Sequence, residues 1–296
     1  MRGALKRFAC ALAAPMLATA AQALQFVDDT GAALVLARPA ERIVSLAPHV
    51  TELLYAAGAG ARVVGAVAYS DHPTEAQRVP RVGDTHALDL ERIVALRPDL
   101  VIAWRSGSPA QQLDVLRALG VPIYWSEPRT LDAIGDAIER FGELAGTDVA
   151  ALPAAKAWRE RLAALRARHR DRPPVAVFHQ IWEQPLMTVN GRHLISEVLQ
   201  ACGGRNVFAA MTALAPQIAA EAVLEADPEV IGAAGSGAPR DAGLGPWLAW
   251  PHLLAVGRGN LYVVDHDLIS RPGPRILDGA ERICEAIEAA RARRPR

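Results

Sequence analysis

Two glutamates, Glu91 and Glu221, begin copies of one short sequence pattern. The first copy reads ERIVALRPDLVI over residues 91–102, and the second reads EAVLEADPEVI over residues 221–231. In each copy an amphipathic run is followed by a proline, an acidic residue and an apolar stretch. This order predicts a two-turn helix that ends at proline and leads into a buried strand. Two copies predict two similar lobes, a ligand cleft between them, and a carboxylate at a related place on each lobe that is available to a partner.

The chain lacks the local motifs that usually mark an active site. Gly58, Gly60 and Gly65 lie close together, but they follow a predicted helix and miss the spacing of a dinucleotide-binding loop. Neither a Walker motif nor a G-x-S-x-G motif occurs. The histidines are scattered without a metal-binding spacing. We therefore expect no catalytic residues, no metal site and no cofactor, and an enzyme on the same scaffold is the less favoured alternative.

Strands alternate with helices along the chain, which predicts two Rossmann-like α/β lobes with mostly parallel sheets. A hairpin is expected over residues 26–40. One long helix near residues 151–170, with Trp158, Leu162 and Leu165 on one face, is expected to join the lobes. The further expected strands are 42–46, 63–67, 100–104, 122–125, 175–179, a strand at Val230, and 261–265. The further expected helices are 49–57, 109–119, 131–145, 193–202, the Glu221 helix, 246–256 and 274–293.

The N-terminus has the features of a secretory signal peptide. Three basic residues within the first seven positions precede an apolar run over residues 8–20 that is too short to span a bilayer. A small-x-small sequence at residues 21–23 predicts cleavage near Ala23 and therefore export. The expected organisation is a signal peptide (1–23), an N-terminal lobe (24–147), a linking helix (148–172) and a C-terminal lobe (173–296).

Charge and cysteine content limit the classes of partner and indicate the cellular compartment. Acidic and basic residues balance at 32 each, which argues against nucleic acid or anionic membrane as the main partner. No stretch after the N-terminal segment is long and apolar enough to suggest stable membrane insertion. After cleavage, Cys202 and Cys284 would be the remaining cysteines. An even number in an exported protein allows a disulfide, with two buried free thiols as the alternative.

Six segments spread over residues 41–290 carry a family resemblance. They are RIVSLAP-x-x-TELLYAAG (42–58), YSDHP (69–73), LERIVALRPDLVIAWRSG (90–107), ACGGRNVF (201–208), PQIAAEAVL (216–224) and RPGPRIL (271–277). Together they resemble the periplasmic solute-binding proteins that feed cobalamin, haem or ferric-siderophore ABC importers. The AWR sequence with its following glycine and the paired cysteines are the pieces more specific to cobalamin-binding members.

The resemblance implies a periplasmic, monomeric carrier that holds cobalamin or a related corrinoid between its lobes. Glu91 and Glu221 match docking glutamates that meet arginines on the membrane subunits of the importer. Each also suits the first turn of its own helix, where the helix dipole favours an acid. Cys202 and Cys284 match a family disulfide. The expected ligand-binding residues are Tyr69, Trp104, Arg105, Trp182, Asp267, Leu268, Ile269, Ser270 and Arg271.

The chain departs from the cobalamin-binding pattern at aromatic positions. Thr85 and Ala215 stand where those members carry tryptophan, and Leu268 and Ile269 replace aromatic residues. The expected pocket is less aromatic as a result. A cobinamide, haem or a siderophore is therefore an alternative ligand.

The two alternatives that contain iron would need particular side chains in the cleft. Haem needs an axial ligand, which has to face the cleft. The candidates are Tyr69, His49, His86 and His266. A siderophore pocket usually contains several cations, and Arg105 and Arg271 are the evident ones.

Overall fold

The computed structural model describes residues 23–295, so the predicted signal segment up to residue 22 lies outside the described residues. Within that range the chain forms ten strands and ten α-helices. The strands are β1 Leu24–Val27, β2 Ala33–Leu36, β3 Ile43–Ser45, β4 Val63–Ala66, β5 Leu100–Trp104, β6 Ile123–Ser126, β7 Val175–Gln180, β8 Gly204–Asn206, β9 Val230–Ala234 and β10 Leu261–Val264. The helices are α1 Pro48–Ala56, α2 Leu90–Ala95, α3 Ala110–Ala118, α4 Leu131–Ala145, α5 Asp148–His169, α6 Leu194–Ala201, α7 Ala220–Ala226, α8 Leu254–Gly257, α9 His266–Ile269 and α10 Ile276–Ala292.

The two lobes contain parallel sheets with the same strand order. The N-terminal sheet is ordered β4-β3-β5-β6, and the C-terminal sheet, read in the same direction, is β8-β7-β9-β10. The first strand of each lobe thus lies between the second and the third. β1 and β2 form the predicted hairpin as a separate antiparallel pair. The repeated sequence pattern forms α2 with β5 and α7 with β9, the equivalent unit of each lobe, so the prediction of two similar lobes is confirmed.

The acidic residue after each proline ties the third strand of its lobe to the first. The Asp99 carboxylate accepts hydrogen bonds from the backbone N–H groups of Glu41 and Arg42, both at 2.9 Å, just before β3. Glu229 accepts a hydrogen bond of 3.1 Å from the N–H of Ala176 in β7. These carboxylates therefore have a structural role that the sequence pattern shares between the lobes.

Helix α5 joins the lobes and lies in a core that both of them share. Trp158, Leu162 and Leu165 are buried, as the helical spacing predicts. One continuous group of buried apolar side chains runs from Leu53 of α1 past these residues to Ile283 of α10. Because interiors pack closely, this continuity restricts hinge motion about the helix. Among the described helices, none is both long and apolar enough to cross a membrane.

Arginines of α5 also link the helix to both lobes. Arg166 lies 2.8 Å from Asp132 of α4 and 2.7 Å from Glu197 of α6. Arg161 lies 2.7 Å from Asp278 of α10. These pairs are partly solvated, so each adds modest stability and mainly fixes orientation.

Several features of the chain differ from the sequence-based expectation, among them the four-residue helix α9, which no expected helix covers. The helix predicted over residues 246–256 is wrong, because a 3₁₀-helix over Gly245–Ala249 and the short α8 occupy this region. Trp250 adopts a non-helical conformation ahead of Pro251, as residues before proline tend to do. The three-residue strand β8 was not expected, since it is too short to show a periodicity.

Cys202 and Cys284 form the predicted disulfide, which connects the end of α6 to α10. Both residues are buried in the shared core. The bond closes a loop between positions separated by 82 residues. It thereby restricts the unfolded chain over most of the C-terminal lobe.

Removal of this disulfide is expected to destabilise the protein. The chain-entropy estimate for a loop of this length is about 4–5 kcal/mol, and measured losses often fall below it. We expect a Cys202→Ala/Cys284→Ala variant to unfold at lower urea concentration than the oxidised protein. Reductant should lower the midpoint of the unaltered protein and leave that of the variant unchanged. Equal midpoints of the variant and the oxidised protein would contradict this role.

A buried histidine and tyrosine form a hydrogen-bonded pair in the C-terminal lobe. His179 Nδ1 lies 2.7 Å from the hydroxyl oxygen of Tyr262. Burial lowers the pKa of His179 to about 3, with a smaller contribution from the proximity of His193, and burial raises the pKa of Tyr262. Both side chains are therefore neutral near pH 7.

This buried histidine predicts a defined acid sensitivity. Between pH 6.5 and about 3 the unfolded chain binds a proton at His179 that the folded chain does not bind, so stability falls as the pH falls through this window. We expect His179→Gln to reduce the slope of unfolding free energy against pH by up to about 1.4 kcal/mol per unit. Urea unfolding at several pH values measures the slope. The exposed His252 supplies a control, His252→Gln, whose slope should match the unaltered protein, and an unchanged slope in His179→Gln would contradict the assignment.

Candidate ligand-binding cleft

A cavity of about 570 Å³ opens between the two lobes. Its N-terminal wall comes from residues at the carboxyl ends of β5 and β6, the usual position of ligand sites in parallel sheets. This wall contains Trp104, Ser106, Glu127, Pro128 and Arg129. The C-terminal wall contains Arg192, His193, Leu194, Leu214, Ile269, Ser270 and Pro272.

Trp104 is held in place at the end of β5. Its backbone N–H donates a 3.0 Å hydrogen bond to the Ser108 hydroxyl, and a Cβ at Gly107 would overlap the indole ring. The His49 ring meets the indole edge to face, with ring centroids 5.3 Å apart. Burial, together with the charge of Arg271, lowers the pKa of His49 to about 3, so a neutral ring supports the indole. The position of the indole therefore requires a residue without a Cβ at Gly107, the glycine that follows the AWR sequence.

Polar groups on the N-terminal wall are already partly paired. The Glu127 carboxylate accepts hydrogen bonds from the backbone N–H of Ser106 at 2.8 Å and from its hydroxyl at 2.7 Å. Arg129 Nε lies 4.0 Å from Glu127, and the Arg129 side chain is 76% exposed. Most N–H groups of this guanidinium are therefore exposed to solvent at the cavity wall.

On the C-terminal wall, Arg192 and His193 precede α6. Arg192 Nη2 donates a 2.6 Å hydrogen bond to the backbone carbonyl of Thr212. His193 Nδ1 accepts a 3.1 Å hydrogen bond from the backbone N–H of Ile195. The proton of the neutral ring is consequently on Nε2, and burial lowers the pKa of His193. His193 is therefore suited to donate a hydrogen bond into the cleft.

A cluster of charged side chains connects the lobes beside the cavity. Glu52 of α1 is 2% exposed and accepts hydrogen bonds from Arg275 at 2.7 and 3.0 Å and from Arg271 at 3.2 Å. Arg271 also pairs with Asp71 at 3.2 Å and with Asp267 at 2.7 Å. Hydrogen bonding to Glu52 raises the pKa of Arg275. The cluster fixes the position of the C-terminal lobe relative to α1.

The predicted residues of the segment 267–271 have different surroundings. Ile269 and Ser270 line the cavity. The backbone of Leu268 packs against Gly279 of α10, and Asp267 is paired with Arg271 in the charged cluster. Arg271 contacts three carboxylates, so its role as a ligand donor stays a prediction.

The other predicted ligand residues lie apart from one another. Trp104 lines the cavity, whereas Tyr69 and Trp182 are exposed to 75% and 62%, lie on separate lobes and do not line it. The guanidinium of Arg105 lies 5.3 Å from the centre of the Trp125 ring. Both of these residues line a second cavity beside the β1–β2 hairpin. Direct ligand contact by Tyr69, Trp182 and Arg105 stays a prediction.

The candidate axial ligands for haem do not line the cavity. His49 is buried behind Trp104, and its Nε2 has no hydrogen-bond partner among residues 23–295. Tyr69, His86 and His266 are exposed. Of the histidines that the structure describes, His193 lines the cavity.

Sequence analysis missed several side chains of the cleft. The position of Arg129, three residues after a buried strand, was an available signal because the carboxyl ends of parallel strands carry ligand sites. Arg192 and His193 precede a helix, and no local pattern distinguishes them. Leu214 lies in an irregular loop that only the tertiary structure brings to the cleft.

Glu91 and Glu221 are exposed in the first turns of α2 and α7. Each helix leads into the amino end of its strand, so its glutamate lies toward the carboxyl edge of the sheet, where the cleft opens. Neither side chain forms an ion pair or a hydrogen bond within the described range, unlike Asp99 and Glu229 of the same repeats. Both carboxylates are thus available to a partner.

Comparisons with known proteins agree with this architecture. A family model described as "Periplasmic binding protein" matches residues 43–268. The chain is 40% identical over 257 residues to the vitamin B12-binding protein of Vibrio parahaemolyticus, covering 86% of this chain and 92% of the relative.

Solved structures show the same similarity. The crystal structure of periplasmic vitamin B12 binding protein BtuF of Vibrio cholerae matches with a TM-score of 0.77 and 38% identity, covering 86% of this chain and 98% of that one. The periplasmic heme-binding protein RhuT from Roseiflexus sp. RS-1 matches with a TM-score of 0.73 and 26% identity, covering 84% and 99%. From the family model and these relatives, the chain belongs to the periplasmic binding protein family.

Proposed function

We propose that this protein is the periplasmic binding component of an ABC importer and captures cobalamin or a related corrinoid between its lobes. The observation that carries the proposal is the interlobe cleft, in which the fixed indole of Trp104 faces apolar side chains such as Leu194 and Ile269. A corrin is a large macrocycle with apolar faces and hydrogen-bonding amides at its edge, and it suits such walls. The relatives named as vitamin B12-binding proteins support this ligand.

Haem is the second candidate, since a heme-binding protein shares the fold. A haem carrier usually supplies an axial ligand to iron. The histidine in the cleft wall, His193, uses Nδ1 to accept a backbone hydrogen bond and carries its proton on Nε2. That atom donates hydrogen bonds and is not free to coordinate iron. Cobalt in cyanocobalamin already has six ligands, so the cleft suits a corrinoid better.

Delivery to the membrane subunits would use Glu91 and Glu221. They occupy equivalent positions of a repeated unit on two lobes, and neither has a partner in the described part of the chain. Carboxylates in this position suit arginines on two membrane subunits, because a bidentate carboxylate–guanidinium pair fixes orientation at an interface. The protein would release its ligand only where both lobes are engaged.

Calorimetric titration tests the ligand. We expect the mature protein to bind cyanocobalamin with one-to-one stoichiometry and to bind haemin more weakly or not at all. The haemin titration is followed in parallel by absorbance near the Soret band. Binding of haemin with a shifted Soret band, and no binding of cobalamin, would contradict the corrinoid proposal and favour haem uptake.

Charge reversal tests the docking role. Glu91→Arg/Glu221→Arg is expected to abolish transport of cobalamin into vesicles containing the importer, because two attractive contacts become repulsive. Cobalamin affinity should stay within about twofold, since neither glutamate lines the cavity. Glu225→Arg is the matched control, because Glu225 is an exposed acid on α7 one turn further along. Normal transport by the double variant, or transport lost equally in the control, would contradict docking through these two residues.

A further inference from the structure

Resting on the proposed function, we infer that Arg129 and Arg192 form a two-sided binding site for an oxyanion at the edge of the macrocyclic ligand. Arg129 follows β6 in the N-terminal lobe, and Arg192 precedes α6 in the C-terminal lobe, yet both line the same cavity. An anionic group held by both would connect the lobes through the ligand itself. The site would thus recognise a substituent of the ligand and not the macrocycle.

The two guanidinium groups retain donors for this purpose. Arg192 is held by one bond to the carbonyl of Thr212, which orients the group without neutralising it. Among residues 23–295 no carboxylate lies within 4 Å of Arg192. Arg129 Nε has Glu127 Oε1 at 4.0 Å, while both hydrogen bonds from Ser106 go to Glu127 Oε2. Planar guanidinium groups bind carboxylate and phosphate oxygens through pairs of parallel hydrogen bonds.

The surroundings of the pair favour an anion over a neutral group. Glu127 is the one carboxylate among the side chains that line the cavity, so arginine charge exceeds acidic charge there. The adjacent His193 adds a neutral N–H donor at Nε2. Pro128 and Leu214 add apolar surface beside these donors. Arg271 of the charged cluster is already compensated by acids and does not fill this role.

The chemistry of the two candidate ligands provides such a group in different forms. Cobalamin carries a phosphodiester in its nucleotide loop, and cobinamide lacks that loop. Haem carries two propionate carboxylates, which are neutral in its dimethyl ester. Each pair of compounds therefore shares a macrocycle and differs in the presence of an anionic group. The haemin pair differs in the charge of the propionates, whereas the corrinoid pair differs in the whole nucleotide loop.

The experiment compares Arg129→Gln/Arg192→Gln with the unaltered protein by titration against cyanocobalamin, dicyanocobinamide, haemin and haemin dimethyl ester. We expect the double variant to lose about tenfold or more in cobalamin affinity, as for a charged hydrogen-bonded group left without its partner. Its cobinamide affinity should change by less than about twofold. Arg205→Gln, at an exposed arginine of β8 outside the cavity, is the matched control and should change neither affinity.

The outcomes separate this inference from the proposed function. If the protein binds both corrinoids and the double variant weakens both equally or neither, the oxyanion site is wrong while the corrinoid function stands. If the protein binds haemin and no corrinoid, the corrinoid proposal is wrong. The oxyanion site is then supported if the double variant weakens haemin more than its dimethyl ester, and is overturned if it does not. Absence of binding of all four compounds to the unaltered protein would overturn both.

Discussion

The geometry of the cleft depends on one buried carboxylate that binds two guanidinium groups across the lobes. Glu52 projects from α1, and Arg271 and Arg275 come from the segment that leads into α10. A charge buried in this way is stable only with its partners, and removal of one partner typically costs about 3–5 kcal/mol. Since the cavity is bordered by the segment that carries these arginines, the pairing also sets its width. The position of Trp104 also depends on this pairing. The His49 ring supports the indole and is adjacent to the charged cluster.

The shared core makes this arrangement a preformed site. Helix α5 is buried against both lobes, and the disulfide joins α6 to α10 inside the same apolar region. Small interfaces between domains ordinarily allow relative motion, but a large apolar core common to both does not. Capture then requires only local adjustment of the cleft walls, and less of the binding free energy is spent on ordering the protein. A rigid carrier presents surface groups at a fixed separation, which suits the docking role proposed for Glu91 and Glu221.

Helices and strands with a strong local apolar pattern were predicted correctly from the sequence. The strand over residues 100–104 and the helix over 131–145 are observed with the predicted bounds, because each has a strong apolar pattern and clear ends. The disulfide followed from the family resemblance. Side-chain direction beyond a strand end was not predictable, since it depends on partners distant in sequence. Arg271 has Glu52, 219 positions away in the sequence, among its carboxylate partners, and its contact with the ligand stays a prediction.

The indole and the two arginines that line the cavity have different physical consequences for ligand choice. Stacking on an indole contributes affinity but distinguishes poorly between flat macrocycles, because corrins and porphyrins both present apolar faces. Hydrogen bonds and charges at the ligand edge discriminate more strongly, since a mismatched ligand leaves a polar group desolvated and unpaired. In this cleft one fixed indole, Trp104, supplies the stacking surface, whereas Arg129, Arg192 and His193 supply directional donors from both lobes. Selectivity should therefore reside in the substituents of the macrocycle.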